Sequence, residues 1–191
     1  MKKIAAVILL LFIAKSTLSQ STYKSYSWEI AKTLSPDSVF SIVFEKGKLT
    51  KLPSQIYSYT NLKKLDISRN KFSKLSDSIQ LFYQLEVLNL GKNKFTEFPI
   101  EILNLLKLKK LYLNRNDISI LPETIERLTK LESIDLWETP IEKFPDAFIA
   151  MKHLKYIDSR GVTHGAKYQD YWIESLPWIK IEFDTPCNCE N

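Results

Sequence analysis

One hydrophobic position recurs every 23 residues along this chain, without an insertion or deletion between its six occurrences. The residues at this position are Val39, Leu62, Leu85, Leu108, Leu131 and Leu154. The intervening residues repeat as well, and the segment from Leu85 to Leu105 shows the pattern LxxLxLxxNxFxxFPxxIxxL. A fixed period of this length is typical of a solenoid, in which each repeat forms one structural unit that stacks on its neighbours.

Each repeat is predicted to contribute one short β-strand. Between Leu62 and Ile67, apolar residues stand at the first, fourth and sixth positions of the repeat, and the fourth and sixth share the two-residue period of a strand. The predicted core contains these two positions in five repeats: Ile42, Phe44, Leu65, Ile67, Leu88, Leu90, Leu111, Leu113, Ile134 and Leu136. Each such side chain contributes about 1.5–3 kcal/mol when it is fully buried.

This pattern resembles the leucine-rich repeat superfamily, in the class whose 23-residue repeats carry Leu-Pro after the strand and Ile three residues later. The resemblance extends from about Val39 to Ile181. It implies an α/β fold: a leucine-rich repeat solenoid with a parallel concave sheet of about seven short strands and helical or 3-10 segments on the convex side. Similar small exported proteins occur in bacteria, so the resemblance also implies a bacterial setting.

An asparagine follows the strand in three consecutive repeats, at Asn70, Asn93 and Asn116. A side-chain amide both donates and accepts hydrogen bonds, so these residues are predicted to satisfy backbone groups where the chain turns and, as in the superfamily, to form a ladder. Gly47 and Thr139 take this position in the outer repeats. We therefore expect the ladder to weaken at both ends.

The first 19 residues have the layout of a secretory signal peptide. Two lysines precede an apolar run of 11 residues, Ile4 to Ala14, whereas a membrane-spanning helix needs about 20. The small residues Thr17 and Ser19 predict cleavage before Gln20. The chain is therefore predicted to be exported (periplasmic, cell surface or secreted), without a stable transmembrane anchor.

The repeats divide the chain into four parts: a signal peptide at 1–19, an N-terminal helical cap at 20–38, five leucine-rich repeats at 39–153, and an irregular sixth repeat with the last strand and the C-terminal cap at 154–191. The strand pattern is renewed 22 residues beyond Leu154, at Leu176, Ile179 and Ile181. This spacing predicts a last strand there, after a short helix over 167–174. Four aromatic residues of this region are expected to form a lid over the stack: Tyr168, Tyr171, Trp172 and Trp178.

The charge balance argues against nucleic acid as a partner. The chain has 27 basic and 22 acidic residues. Three of the basic residues, Lys2, Lys3 and Lys15, belong to the predicted signal peptide, so the formal charge of the mature chain is about +2. The remaining charges are mixed in sign and spread through the repeats, as on an ordinary solvated surface.

The sequence contains no motif that predicts catalysis or metal binding. His153 and His164 have no cysteine or second histidine at ligand spacing, and there is no glycine-rich phosphate loop. Cys187 and Cys189 are separated by one residue, so a bridge between them cannot staple the fold. We therefore expect no metal, no cofactor and no enzymatic activity.

The outward strand positions of the later repeats carry large aromatic residues on the predicted concave face. Tyr112, Trp137 and Tyr156 should approach one another there. Four charged residues surround them and complete the predicted partner-binding set: Asp135, Asp158, Arg115 and Arg160. Aromatic residues bordered by charges are typical of interface hot spots. The alternative is that each ring packs only on its neighbours, as rings commonly do on sheets.

The sequence therefore favours a non-catalytic protein-binding module that acts through its concave face, as a monomer, with a glycan as the second choice of partner. The alternative is a structural or adhesive cell-surface component whose repeats act as a spacer. A column of basic residues at the eighth position of the repeat ends at Glu138, and we interpret it as a solvated rim: Lys46, Arg69, Lys92 and Arg115.

Overall fold

A computed structural model describes residues 23–186 of the chain. Eight short strands form one parallel sheet in which each strand pairs with its neighbours in the sequence. The strands are β1 (Tyr26–Ser27), β2 (Ser41–Val43), β3 (Lys64–Asp66), β4 (Val87–Asn89), β5 (Lys110–Tyr112), β6 (Ser133–Asp135), β7 (Tyr156–Asp158) and β8 (Lys180–Glu182). The predicted signal peptide and both cysteines lie outside the described residues.

The register of the sheet follows the 23-residue period from β2 to β7. Leu65 is opposite Leu88, and Leu88 is opposite Leu111. Each inward row of aliphatic side chains is therefore continuous from repeat to repeat, and the fourth and sixth positions of the five repeats are buried. The predicted α/β solenoid, with a parallel sheet and an open rather than closed stack, is confirmed.

Short 3-10 helices line the opposite side of the stack from the sheet. Five of them are repeat elements, at Ser54–Ser58, Asp77–Leu81, Ile100–Asn104, Glu123–Arg127 and Asp146–Ile149, and one precedes β2 at Pro36–Ser38. A proline comes directly before four of the five repeat elements. Where Ser76 replaces proline, its hydroxyl accepts a hydrogen bond from the Ser78 amide at 3.2 Å, so a side-chain cap takes the place of the proline ring.

The asparagine ladder is present inside the stack. The Asn93 side chain donates to the carbonyl oxygens of Ile67 at 3.1 Å and Leu90 at 2.8 Å, and accepts from the amide of Phe72 at 3.0 Å. Asn70 and Asn116 make equivalent bonds with their own neighbours. Thr139 makes only the bond that an asparagine side chain would donate, from its hydroxyl to the Leu113 carbonyl oxygen at 3.0 Å. The ladder therefore weakens at that end, as predicted.

The N-terminal cap contains a strand that the sequence analysis did not predict, which brings the sheet from about seven strands to eight. Tyr26 and Ser27 pair with β2 and so cover its free edge. Helix α1 (Trp28–Ala31) follows directly and is only four residues long. The Trp28 ring stacks on Phe44 with 5.5 Å between centroids, which covers the end of the core.

The C-terminal cap shifts the predicted register by two residues. The spacing of 22 made Ile179 the counterpart of Ile157, but Ile181 lies opposite Ile157 in the sheet. The cause is helix α2 (Ala166–Ser175), which replaces the short 3-10 segment and uses more residues. A shift of two preserves the side to which each residue points, so the apolar residues still face the core.

The predicted lid is formed mainly by Tyr168 and Trp172. Trp172 is 1% exposed, and both rings make edge-to-face contacts with Phe144. The Tyr168 hydroxyl also accepts a hydrogen bond from the Phe144 amide at 2.9 Å. Tyr171, in contrast, is 51% exposed, so it lies outside the packed lid.

Candidate functional site

The predicted binding residues lie on the outer face of the sheet, on β5, β6 and β7 and the turns that follow them. Pairing places Tyr112 opposite Asp135 and Asp135 opposite Asp158, while Tyr156 lies opposite Ser133. We call the seven predicted residues the β5–β7 patch: Tyr112, Arg115, Asp135, Trp137, Tyr156, Asp158 and Arg160. All three aromatic side chains of the patch are half-buried, so part of each ring faces solvent.

Trp137 is held in place by charged groups of its own chain. The Arg115 guanidinium lies 4.3 Å from the centre of the indole ring, a distance at which a cation is attracted to the ring face. Arg115 is itself paired with Glu138, with 3.2 Å between Nη2 and Oε1. The indole is therefore pre-oriented, and the charge of Arg115 is already engaged within the protein.

The acidic residues of the patch also shape the turns that end the strands. Asp135 Oδ1 accepts a hydrogen bond from the Trp137 amide at 3.0 Å, and Asp158 Oδ1 accepts one from the Arg160 amide at 3.2 Å. Asp66 and Asn89 make the same bond in earlier repeats. Sequence reasoning missed this role, although Asp or Asn at the fifth position of four repeats was a readable signal of turns of this kind.

The two aspartates of the patch differ in their electrostatic surroundings. Burial by itself raises the pKa of Asp158, but two bonds from the Arg160 guanidinium, at 2.9 and 2.6 Å, outweigh it and leave that pKa below its ordinary value. For Asp135, burial raises the pKa, and the nearby charge of Asp158 adds to this effect. Among residues 23–186, no lysine or arginine forms an ion pair with Asp135.

The tyrosine hydroxyls of the patch are kept protonated. Burial raises the pKa of Tyr112, and the charges of Asp135 and Asp66 raise it further. Burial likewise raises the pKa of Tyr156, with a contribution from Asp158. Both phenols therefore remain hydrogen-bond donors through the neutral range, beside a face that carries negative charge.

The leucine rich repeat family matches the chain at residues 60–118 and 83–141, which include β3 to β6. This part of the chain therefore consists of leucine-rich repeats. The structure of the chain is similar to that of an internalin from Listeria monocytogenes, with a TM-score of 0.58, 16% sequence identity and 78% of this chain covered. At this identity the likeness concerns the fold alone. The match covers only 44% of the internalin chain.

A search of the curated proteins gave no match to this leucine-rich repeat protein. Within residues 23–186, no helix is long and apolar enough to cross a membrane. The same part of the chain brings together no group of three or more His, Cys, Asp or Glu side chains that could hold a metal ion.

A charge ladder runs along the amino-terminal edge of the strands, and sequence reasoning missed it. Its members alternate in sign at the second position of five consecutive repeats: Lys63, Glu86, Lys109, Glu132 and Lys155. Lys109 contacts Glu86 at 2.8 Å, and Lys155 contacts Glu132 at 3.2 Å. Burial alone would raise the pKa of Glu86, but the two flanking lysines lower it below its ordinary value. These charges neutralise one another, so the leucine-rich repeat protein presents no strongly charged stripe there.

Proposed function

We propose that this leucine-rich repeat protein is a non-catalytic protein-binding module and that the β5–β7 patch contacts the partner. Leucine-rich repeat proteins commonly bind proteins. The observation that supports this proposal is the group of half-buried aromatic residues on β5, on the turn after β6 and on β7, with Trp137 pre-oriented by Arg115. Aromatic and arginine side chains dominate the energetics of protein interfaces, and an anchor that is already ordered loses little entropy on binding.

We further propose that the protein acts outside the cytoplasm. The supporting feature is the layout of residues 1–19, with two lysines, an apolar run too short to span a bilayer, and small residues before Gln20. Amino-terminal sequencing of the protein recovered from the medium and from cell fractions tests this: we expect a chain that begins at Gln20. A chain that keeps Met1 and stays in the cytoplasm contradicts export.

The binding proposal is tested by affinity capture from the native host, with quantitative mass spectrometry of the captured proteins. Trp137→Ala and Tyr112→Ala should each lose the partner. The matched control is Tyr83→Ala, since Tyr83 is 51% exposed and lies outside the patch. Thermal unfolding of Trp137→Ala should change little, because a half-exposed cation–π contact contributes only about 0.5–1 kcal/mol.

Two results separate the alternatives. If the partner is retained by both patch variants, the β5–β7 patch is not the contact surface. If the purified protein instead associates with itself and Trp137→Ala does not weaken that association, a structural or adhesive role is favoured.

A further inference from the structure

Several carboxylates of the outer face are satisfied by groups of the same chain. Asp158 is paired with Arg160, and Glu182 with Lys180. Asp66 uses one oxygen for the Ser68 amide and the other for the Asn89 side chain, at 2.9 and 3.0 Å. These carboxylates find their partners within the chain. A carboxylate of this face without such a partner therefore points to a group that another molecule supplies.

Glu45 and Asp135 are the exceptions among the described residues, and of the two only Asp135 is half-buried. Its Oδ1 accepts the Trp137 amide hydrogen at 3.0 Å, but its second oxygen has no hydrogen bond, and no cation is paired with it within residues 23–186. Of the cations on this side of the fold, Arg160 is bound to Asp158 and Arg115 to Glu138. A half-buried carboxylate without a counter-ion is unfavourable in the free protein.

The surroundings of Asp135 fit the side chain of a cation with an apolar stem. Small Ser133 precedes it by two residues, and Tyr156 lies opposite that serine on β7. Tyr112 is directly opposite Asp135 on β5, and Trp137 follows by two residues. Neighbouring strands are about 4.8 Å apart, and side chains two residues apart on one strand are about 6.6 Å apart. The three rings thus border the carboxylate within the reach of one long side chain.

We propose that Asp135 anchors an arginine or lysine side chain of the protein partner, whose stem lies against Tyr112, Trp137 and Tyr156. The inference rests on the proposed function and assigns the chemistry of its central contact. A basic side chain supplies the counter-ion that Asp135 lacks, and its cationic head is attracted both to the carboxylate and to the ring faces. The preferred partner segment is therefore basic at the anchor position.

The chain itself indicates the variant that isolates this charge. At the equivalent position of β4, Asn89 Oδ1 accepts the Gly91 amide hydrogen at 3.0 Å, as Asp135 does with Trp137. Asp135→Asn therefore keeps the turn and removes only the charge. Asp66→Asn is the control, because it removes the charge at the same position of a repeat outside the patch; it also loses the bond from the Asn89 side chain, so it shows what a larger local change outside the patch does to binding.

The experiment selects phage-displayed random peptides on the purified protein and compares the sequences recovered with the wild type, Asp135→Asn and Asp66→Asn. We expect arginine and lysine to be enriched over the unselected library with the wild type and Asp66→Asn, but not with Asp135→Asn. For one synthetic peptide from the wild-type selection, Asp135→Asn should weaken binding about tenfold by calorimetry, the worth of one charged hydrogen bond.

The outcomes distinguish this inference from the proposed function. Peptides that require Trp137 but show no preference for basic residues, or that bind Asp135→Asn as well as the wild type, overturn the basic anchor and leave the binding patch standing. Peptides whose binding is unaffected by Trp137→Ala count against both. A selection without any enriched peptide also counts against the anchor.

Discussion

At the eighth position of the second to sixth repeats, the backbone turns through the left-handed region. Arg69, Lys92, Arg115 and Glu138 have φ between 50° and 59°, and Gly161 has φ of 87°. From Arg69 onward, the basic column interpreted as a solvated rim is thus also a row of strained turns, since residues with a Cβ rarely adopt this conformation. At Gly161 the backbone of the neighbouring turn approaches so closely that a Cβ has no room, since the Glu138 amide nitrogen lies 2.7 Å from the position that this Cβ would take.

We expect Gly161→Ala to lower the free energy of unfolding by about 2–4 kcal/mol, because backbone strain and overpacking add. The control is Gly165→Ala, where an added Cβ has no heavy atom within 4 Å and φ is −66°. Urea unfolding of both variants measures the difference. Equal stabilities would show that the turn at Gly161 rearranges freely.

At the scale of the element, the asparagine ladder joins the repeats where the strands end. Each asparagine serves backbone groups of two consecutive turns, in a region where Asn70, Asn93 and Asn116 are all buried. Buried backbone groups that lose their partners are costly, so the ladder stabilises the turns more than any exposed ion pair of the repeats does.

We expect Asn93→Ala to destabilise the protein by about 3 kcal/mol or more, because it leaves buried backbone donors and acceptors unpaired at about 1–3 kcal/mol each. Asn93→Thr should cost less, since Thr139 shows that a hydroxyl preserves the donor half of the ladder. Chemical denaturation of the two variants measures this. The ladder account fails if alanine and threonine are equally destabilising.

The C-terminal lid makes stability depend on pH. His164 is 7% exposed and stacks on Tyr168 with 4.3 Å between ring centres. Its Nε2 has no hydrogen-bond partner among the described residues, and burial lowers its pKa. The unfolded chain therefore binds a proton more readily than the folded chain. The stability contributed by neutral His164 is present above its ordinary pKa of about 6.5 and is lost as the pH falls below it.

We expect the melting temperature of the wild type to fall between about pH 7.5 and pH 5.5 more steeply than that of His164→Gln. His153→Gln is the control, because His153 is exposed and its removal should leave the wild-type pH dependence intact. If the melting temperatures of the wild type and of His164→Gln fall equally with pH across this range, the assignment to His164 is contradicted.

At the scale of the whole molecule, the stack is one-dimensional, and each repeat contacts mainly its two neighbours. Its ends therefore depend on the caps. The Trp28 ring covers the first repeat through Phe44, and Trp172 covers the last repeats through Phe144. Damage to one cap should loosen the nearest repeats first and leave the far end protected.

We expect Trp172→Ala to cost about 3–5 kcal/mol, as for a large buried aromatic residue, and to reduce hydrogen-exchange protection in β7 and β8 more than in β3 and β4. Tyr171→Ala is the control, since Tyr171 is half exposed on the same helix. Exchange measured by mass spectrometry reports each strand separately. A uniform loss of protection would show that the stack unfolds as one cooperative unit.

Much of the fold could be predicted because the period is enforced by burial. A one-residue slip between Leu65 and Leu88 turns every core side chain of a strand toward solvent, so the register of β2 to β7 follows from the spacing alone. The stacking of the asparagines in the ladder, and the order of the outward-facing residues across the sheet, follow for the same reason. The spacing accordingly places the seven patch residues on β5, β6 and β7 and on the turns that follow these strands.

What only the tertiary structure decided lies where the period ends or where side chains from different repeats compete. The pairing of Tyr26 with β2 and of Ile181 with Ile157 depends on how the caps pack against the ends of the stack, where no repeat sets the spacing. The sequence likewise places several charges on one face without showing which of them pair. Arg160 is bound to Asp158 within its own repeat, whereas Arg115 reaches Glu138 in the next repeat, because side-chain reach, and not position in the repeat, determines which ion pairs form.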